Sequence, residues 1–113
     1  MPASLSTHVL DTALGRPAAG LAVTLEALVG ASASLIGQGV TDADGRVAKG
    51  LLAPDGLAHG IYRLTFETGA YLSRVHGKGF YPVAPIVFEV SDDGHHHVPL
   101  LLSPYGLATY RGS

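Results

Sequence analysis

The stretch GIYRLTFE, from Gly60 to Glu67, carries the clearest secondary-structure signal in the sequence. Its large apolar side chains recur at every second position, at Tyr62, Leu64 and Phe66, and polar side chains stand between them. This period of two is typical of a β-strand that has one face in a core and the other towards solvent. The chain is therefore expected to build a sheet around this strand.

Similar short apolar segments lie on both sides of this strand, separated by turns rich in glycine and proline. The sequence has 15 glycines and 7 prolines, which is more than a helical bundle tolerates. The predicted strands are Ser6 to Leu10, Ala22 to Val29, Leu35 to Thr41, Arg46 towards Leu52, Gly60 to Glu67, Ile86 to Val90, His95 to Leu102 and Leu107 to Arg111. Seven or eight short strands at this spacing indicate an all-β, antiparallel β-sandwich.

Two local signals interrupt the strand pattern. The segment from Thr68 to His76 predicts one short helix, because its apolar residues have helical spacing and Thr68 could cap the first turn. The segment from Asp42 to Gly45 predicts a hairpin turn, because the Asp-Gly pair supplies the positive φ that tight turns need. A calcium loop is a poorer interpretation of the same segment, since Arg46 stands at the third acidic position and no Glu closes the loop.

Composition places the chain among folded globular proteins and excludes several classes. Its length suits a single domain, 1–113, and 47% hydrophobic against 14% charged residues excludes a disordered chain. A net charge of −2 gives no attraction to nucleic acid or acidic lipid, and the longest uncharged stretch, Ala27 to Thr41, is too short to span a membrane. The absence of cysteine excludes a disulfide framework, a thiol nucleophile and a thiolate zinc site. No secretory signal opens the sequence, so we expect a cytoplasmic protein without nucleic-acid or membrane partners.

The 6 histidines are the least common feature of the sequence, and three of them are consecutive. On the predicted strand His95 and His97 share one face, whereas His96 shares the other with the apolar Val98. The favoured interpretation of this cluster is a set of solvated or hydrogen-bonded histidines. The second is a metal site in which His95 and His97 share one ion, although no third ligand lies nearby in sequence. His8, on the first strand, is not singled out by its spacing.

Four segments together resemble one protein family. They are STHVLD at 6–11, VTDADGR at 40–46, HVPLLLSPY at 97–105 and YRGS at 110–113. The pattern is similar to that of the 5-hydroxyisourate hydrolases, the transthyretin-like enzymes of urate breakdown, and the resemblance extends from Ser6 to Ser113. The Tyr-Arg-Gly-Ser ending is its most specific part, because transthyretin, the hormone carrier with the same fold, lacks these residues.

The resemblance implies a transthyretin-like sandwich and a set of functional residues. The matched catalytic positions are His8, Arg46, His97 and Ser113, and the matched substrate-binding positions are His8, Arg46 and Tyr110. The resemblance also implies a homotetramer, a dimer of dimers whose sites lie where two dimers meet, and a reaction without a metal or organic cofactor.

The sequence departs from the family pattern at two places. His96 stands where a tyrosine is common, and Gly106-Leu107-Ala108 replaces a more polar stretch. The matched site positions are unaffected by both departures. In the terminal segment, Gly112 is expected to let the backbone bend, and Arg111 to point away from the site and anchor the tail through a carboxylate.

The implied reaction is the hydrolysis of 5-hydroxyisourate to 2-oxo-4-hydroxy-4-carboxy-5-ureidoimidazoline. Water adds to a ring carbonyl of this cyclic ureide, and the adjacent ring C–N bond breaks. His8 and His97 are the natural candidates for the base and its partner, and Arg46 for the group that stabilises the oxyanion. Tyr110 and Ser113 would orient the ring by hydrogen bonds.

Two other functions fit the same sequence less well. One is a small-molecule carrier or binding protein on the same sandwich, because function depends on the site and not on the scaffold. A carrier has no use for two histidines and an arginine that converge on one cleft. The other is a metal-dependent enzyme built on His95 and His97.

Overall fold

The computed structural model describes residues 2–113, and these residues form β-strands and a single α-helix. The elements in chain order are β1 (Ser4–Asp11), β2 (Arg16–Pro17), β3 (Ala22–Val29), β4 (Ser32–Val40), β5 (Gly60–Phe66), α1 (Thr68–His76), β6 (Ala84–Val90), β7 (His95–Ser103) and β8 (Gly106–Thr109). The predicted all-β architecture of seven to eight strands with one short helix is confirmed. Within residues 2–113, no helix is long and apolar enough to cross a membrane.

The strands form two four-stranded sheets with the orders β2-β1-β7-β8 and β4-β3-β5-β6. Neighbouring strands are antiparallel, as predicted, with one exception: β1 and β7 are parallel, from Ser4 opposite His95 to Asp11 opposite Leu102. A parallel pair needs a long connection, and most of the chain lies between these two strands. The exception brings two distant segments, the start of β1 and the start of β7, to the same end of one sheet.

The two sheets bury the apolar side chains that alternate along their strands in one common core. The apolar face of β5 is buried, and Leu100 and Leu102 of β7 join the same cluster from the other sheet. A shift of one residue would turn this core face towards solvent, so burial fixes the register. The same alternation buries His96 and leaves His97 on the outer face of β7, as the sequence predicts.

The predicted strand from Arg46 to Leu52 is wrong. The preceding turn forms as expected, with Gly45 at φ +75° and with Oδ1 of Asp42 accepting hydrogen bonds from the backbone N–H groups of Asp44 and Arg46. After this turn the chain does not pair with β4. Arg46 instead forms an isolated bridge with His8, and the residues from Val47 to Leu52 form no strand, because the turn is joined to β1.

The helix has the predicted bounds, but its N-terminal cap differs from the prediction. Glu67 is the N-cap and makes no side-chain capping hydrogen bond. The Thr68 hydroxyl donates instead to the backbone oxygen of Tyr81 at 2.7 Å. Thr68 thus ties the helix to the loop before β6 and does not cap it.

Candidate active site

The outer face of the parallel pair β1 and β7 carries several polar side chains from both strands. Ser6 and His8 of β1 are half-buried between the buried Thr7 and Val9. In the parallel register, Ser6 stands opposite His97, and His8 lies two residues further along β1. This pairing brings His8 and His97 to one surface, although 89 positions separate them in the chain (97 − 8).

Arg46 reaches this surface because the Asp-Gly turn is held against β1. The backbone N–H of Val9 donates to the oxygen of Gly45 at 2.8 Å, and Arg46 bridges to His8. A Cβ atom on Gly45 would lie 2.3 Å from the oxygen of Val9 and 3.3 Å from Cδ2 of His8. Since Gly45 also has a positive φ, only glycine allows this close approach of the turn.

The end of the chain closes another side of the same surface. The backbone N–H of Gly112 donates to the oxygen of His97 at 2.8 Å, and a Cβ atom on Gly112 would lie 2.5 Å from Cδ2 of the His97 ring. The tail backbone therefore packs directly against His97. Nη2 of Arg111 lies 3.5 Å from Oδ2 of Asp92, so the predicted carboxylate anchor of the tail is confirmed.

The side chains of Tyr110 and Ser113 make fewer contacts with the site than the tail backbone does. Both residues are exposed, and neither side chain makes a hydrogen bond within the described part of the chain. Tyr110 lines a cavity of about 270 Å³ together with Phe88 and His96, and His96 points to the opposite face of β7 from His97. One protomer thus brings together His8, Arg46 and His97, and Tyr110 contributes to a different cavity.

The electrostatics of the cluster are centred on His97. Burial lowers the pKa of His97, and the nearby positive charges of Arg46, His8 and His95 lower it further, against a weaker opposing effect of Ser6. A lowered pKa keeps the imidazole neutral near pH 7, which is the form that accepts a proton.

Ser6 is the contact residue that the sequence analysis missed. Its Oγ lies 2.7 Å from Nδ1 of His97 and 2.7 Å from Nε2 of His95, and Oγ of Ser4 lies 2.6 Å from Nδ1 of His95. His95 is thus a hydrogen-bonded histidine, as the favoured interpretation has it. Within residues 2–113, no three His, Asp or Glu side chains are grouped so as to hold a metal ion. The period-two spacing of Ser4, Ser6 and His8 on one strand face was the available signal.

A groove of about 760 Å³ adjoins this cluster. It runs between the start of β1 and the loop after the Asp-Gly turn, and Arg46, Lys49, Ser6 and His95 are among its lining residues. Sites for small molecules usually have volumes of about 300 to 1,000 Å³. The volume suits a small polar heterocycle beside Arg46 and His95, and His8 and His97 are not among the lining residues.

Comparisons with known proteins show the family of the chain. Residues 5–112 match the model of the HIUase/Transthyretin family. The chain is 49% identical over 114 residues to 5-hydroxyisourate hydrolase 2 of Rhizobium meliloti (strain 1021), with 96% of this chain and 95% of the relative covered.

Two solved structures share the fold. The structure of Klebsiella pneumoniae 5-hydroxyisourate hydrolase has a TM-score of 0.85 and 40% identity, with 97% of this chain and 99% of that chain covered. Sea bream transthyretin in complex with thyroxine has a TM-score of 0.88 and 32% identity, with 96% of this chain and 93% of that chain covered. On the evidence of its sandwich and these matches, the chain belongs to the HIUase/Transthyretin family.

Proposed function

We propose that this protein hydrolyses 5-hydroxyisourate to 2-oxo-4-hydroxy-4-carboxy-5-ureidoimidazoline in urate catabolism. The observation that carries the proposal is the convergence of His8, Arg46 and His97 beside a groove of about 760 Å³. Relatives that bear the name 5-hydroxyisourate hydrolase, at 49% and 45% identity over nearly the whole chain, support the same substrate.

In the proposed mechanism His97 is the general base. Water is a poor nucleophile at neutral pH, and the lowered pKa of His97 keeps its imidazole neutral and able to take a proton. As the water oxygen bonds to a ring carbonyl carbon, the carbonyl electrons move to oxygen. His97 then returns the proton to the ring nitrogen as the C–N bond breaks. His8, on the neighbouring strand, orients the water or the substrate.

Arg46 supplies the positive charge in this mechanism. The tetrahedral intermediate carries an oxyanion, and a guanidinium that donates hydrogen bonds to it stabilises that charge. Within residues 2–113, the Arg46 guanidinium makes no ion pair or hydrogen bond with the protein. Its donors are thus available for a substrate.

The remaining site residues would act in the assembled protein. We propose a homotetramer, a dimer of dimers, in which Tyr110 and Ser113 help to close the site and orient the ring. Tyr110 is 57% exposed in the protomer, and Val87 on the edge strand β6 is 59% exposed, as surfaces that become covered on assembly would be. Sedimentation velocity should give a single species of four chains, and a monomer would contradict this assembly.

A carrier function is the weaker candidate. Sea bream transthyretin, which shares the fold, is a complex with thyroxine. A carrier site needs shape and mostly apolar contact, however, and does not need a base with a lowered pKa next to an unpaired guanidinium.

The decisive assay mixes the protein with freshly generated 5-hydroxyisourate and follows its loss against the spontaneous rate. We expect a large acceleration that survives exhaustive chelation, since the proposed reaction needs no metal. An unchanged rate would contradict the hydrolase, and activity lost on chelation would favour the metal-dependent alternative. The cytoplasmic location stays a prediction, which cell fractionation with an antibody would test.

A further inference from the structure

The two ring nitrogens of His97 have different surroundings. The register of β1 and β7 places Ser6 directly opposite His97, and Oγ of Ser6 lies 2.7 Å from Nδ1 of His97, the distance of a well-formed hydrogen bond. Nε2 of His97 makes no hydrogen bond in the part of the chain that the structure describes. It is not sealed from solvent either, because the buried side-chain nitrogen that lacks a partner in residues 2–113 is Nε2 of His96. The protein therefore holds Nδ1 of His97 and leaves Nε2 to an external group.

The contact between Ser6 and His97 can form in two ways. A neutral imidazole carries one hydrogen, and a serine hydroxyl can donate and accept. If Nδ1 of His97 donates to Oγ of Ser6, Nε2 has a lone pair and can take a proton from water. If the hydroxyl donates to Nδ1, the hydrogen of the ring is on Nε2, and the ring cannot act as a base there. The direction of this hydrogen bond therefore decides whether His97 can be the base.

Two observations favour donation from His97 to Ser6. Oγ of Ser6 also lies 2.7 Å from Nε2 of His95, which can accept the hydroxyl hydrogen and so leave Oγ as an acceptor for His97. Oγ of Ser4, 2.6 Å from Nδ1 of His95, can in turn accept the hydrogen of that ring. The backbone of Ser6 also raises the pKa of His97, which is the effect of a carbonyl oxygen that accepts from a ring N–H. The ring hydrogen of His97 thus belongs on the side that faces Ser6.

We propose that Ser6 is a positioning residue that fixes the tautomer of His97, with the hydrogen on Nδ1 and the lone pair of Nε2 available to the attacking water. This inference rests on the proposed function, in which His97 is the base. No proton passes through Ser6, and the hydrogen on Nδ1 stays in place throughout the reaction.

The proton balance of the reaction regenerates His97 at Nε2. Nε2 takes one proton of the water as the water oxygen bonds to the ring carbonyl carbon. It returns this proton to the leaving ring nitrogen as the C–N bond breaks, so its lone pair is free for the next turnover. The other proton of the water stays on the new carboxyl group, which releases it to solvent.

Removal of the Ser6 hydroxyl should therefore reduce the fraction of His97 in the active tautomer. In water a neutral histidine side chain prefers the hydrogen on Nε2, and Ser6→Ala removes the side-chain acceptor that opposes this preference. We expect kcat for 5-hydroxyisourate to fall by about 10-fold while KM stays within about twofold, because the tautomer affects the proton transfer and not binding. Ser6→Thr keeps a hydroxyl at the same position and should restore most of kcat.

The tautomer itself can be measured in the full-length protein without substrate. Long-range ¹H–¹⁵N spectra of protein labelled with ¹⁵N-histidine distinguish a ring nitrogen that carries a hydrogen from one that does not. Recorded at about pH 8.5, well above the ordinary histidine pKa, they report on neutral rings. His97→Asn identifies the signals of His97. The wild type and Ser6→Thr should show the hydrogen on Nδ1, and Ser6→Ala should show it mainly on Nε2.

A matched serine and the pH dependence control for a merely structural effect. Ser103 is also half-buried on a strand, and its hydroxyl donates to the oxygen of Gly106 at 3.2 Å, so Ser103→Ala should change neither kcat nor the tautomer of His97. Raising the pH should not restore kcat of Ser6→Ala, because the ratio of two neutral tautomers does not depend on pH. If Ser6→Ala does not fold, Ser6→Cys keeps the size of the side chain and gives the same test, because a thiol is a weak acceptor.

The outcomes separate this inference from the proposed function. An active wild type whose His97 carries its hydrogen on Nε2 overturns the inference alone. An unchanged tautomer or an unchanged kcat in Ser6→Ala also overturns it, as does a kcat that recovers fully at high pH. A wild type that does not accelerate the loss of 5-hydroxyisourate overturns the proposed function, whereas the spectra still show whether Ser6 fixes the tautomer.

Discussion

Two polar clusters with histidines adjoin opposite parts of β1, and they differ in how their members are paired. At the end of β1, the buried carboxylate of Asp11 accepts hydrogen bonds from the Tyr71 hydroxyl and from Nε2 of His76, each at 2.7 Å. It also accepts two backbone N–H groups of the following turn, each at 3.0 Å. The Asp11 carboxylate thus has all four of these donors inside the protein.

The second cluster consists of His8, Arg46 and His97, and it contains no carboxylate that would balance its positive charge. Its groups are all positive or can become positive, and within residues 2–113 no carboxylate pairs with Arg46. Arg46 is exposed, and a cationic group in a cleft without a carboxylate partner inside the protein is a candidate contact for an external anion. The Asp11 cluster holds the helix to the sheet, whereas the second cluster is the one to which we assign the substrate in the proposed function.

The pKa shifts also differ between the paired Asp11 cluster and the cluster of His8, Arg46 and His97. Burial raises the pKa of Asp11, but the hydrogen bonds from Tyr71 and His76 outweigh burial, so its pKa lies below the ordinary value. Burial and the Asp11 carboxylate raise the pKa of Tyr71 to about 12, which keeps its hydroxyl as a donor. His97 instead has a lowered pKa without a compensating anion. The first cluster stabilises the negative charge of Asp11, whereas the second destabilises a positive charge on His97.

Loss of the guanidinium should have the largest effect on the open cluster. Arg46→Ala is expected to lower kcat/KM by about 10²- to 10³-fold, because the oxyanion loses its positive donor. Arg46→Lys keeps the charge but loses the planar pair of donors, so it should recover only a small part of the loss. Steady-state kinetics and the unfolding midpoint of both variants check this prediction. Kinetics like those of the wild type in Arg46→Ala would remove Arg46 from the site.

Breaking the paired cluster should change stability and not chemistry. Asp11→Ala leaves the Tyr71 hydroxyl and His76 without their acceptor and should lower the free energy of unfolding by about 3 kcal/mol. Asp55→Ala, in an exposed loop, is the matched control and should change it by less than about 0.5 kcal/mol. Urea denaturation measures both values. Equal stability of the two variants would contradict a structural role for the Asp11 cluster.

The same cluster predicts how stability depends on pH. The pKa of Asp11 is lower in the folded chain than its ordinary value of 3.8, so its contribution is complete above that value. It is lost as the pH falls through the folded pKa, because protonation removes the acceptor. The wild type should therefore lose stability in acid more steeply than Asp11→Ala, as urea denaturation at pH 7 and near pH 3 would measure. If the free energy of unfolding fell equally with pH in the wild type and in Asp11→Ala, the lowered pKa of Asp11 would be contradicted.

A smaller effect is expected where the tail contacts the open cluster. Gly112→Ala would place a Cβ atom 2.5 Å from the His97 ring and must displace either the ring or the tail. We expect kcat to fall by about 10-fold with little change in the unfolding midpoint, because a displaced base loses its alignment and the tail is exposed. Truncation after Tyr110 should also lower kcat. An unimpaired Gly112→Ala enzyme would show that the tail does not position His97.

The smallest effect concerns His96, which belongs to neither cluster. His96 is buried, its Nδ1 lies 2.9 Å from the oxygen of Gly94, and its Nε2 has no hydrogen-bond partner in residues 2–113. His96→Tyr should raise the free energy of unfolding by about 1 kcal/mol, because it removes an unsatisfied buried nitrogen. A lower stability in thermal or urea unfolding would indicate that the adjoining cavity of about 270 Å³ cannot accept the phenol.

Local patterns in the sequence predicted the elements that depend on neighbouring residues. The alternation along Gly60 to Glu67 and the helical spacing from Thr68 to His76 both correspond to the observed β5 and α1. The prediction of a strand after Arg46 was wrong because the chain there depends on a distant contact. The Asp-Gly turn is followed by contact with β1 and not by pairing with β4. No local pattern contains that information.

The candidate site also depends on contacts between distant parts of the chain, which local patterns do not predict. The resemblance to the hydrolases named His8, Arg46 and His97, and the spacing of His95 and His97 placed both on one strand face. Ser6 was missed because its role depends on the parallel pairing of β1 with β7, whose residues are about 90 positions apart in the chain. Tyr110 illustrates the reverse case, in which a motif position lies on a different cavity of the protomer.

The most direct test of the division between the two clusters is the pH–rate profile of the wild type beside His97→Asn, with 5-hydroxyisourate as substrate. The wild type should keep its rate down to a pH below 6.5, the ordinary value for histidine, because the pKa of His97 is lowered and a base acts only when neutral. His97→Asn should be slower by about 10²- to 10⁴-fold at neutral pH, without that acid limb and with an unchanged unfolding midpoint. A variant that retains the rate and the pH profile of the wild type would contradict the assignment of this open cluster as the active site.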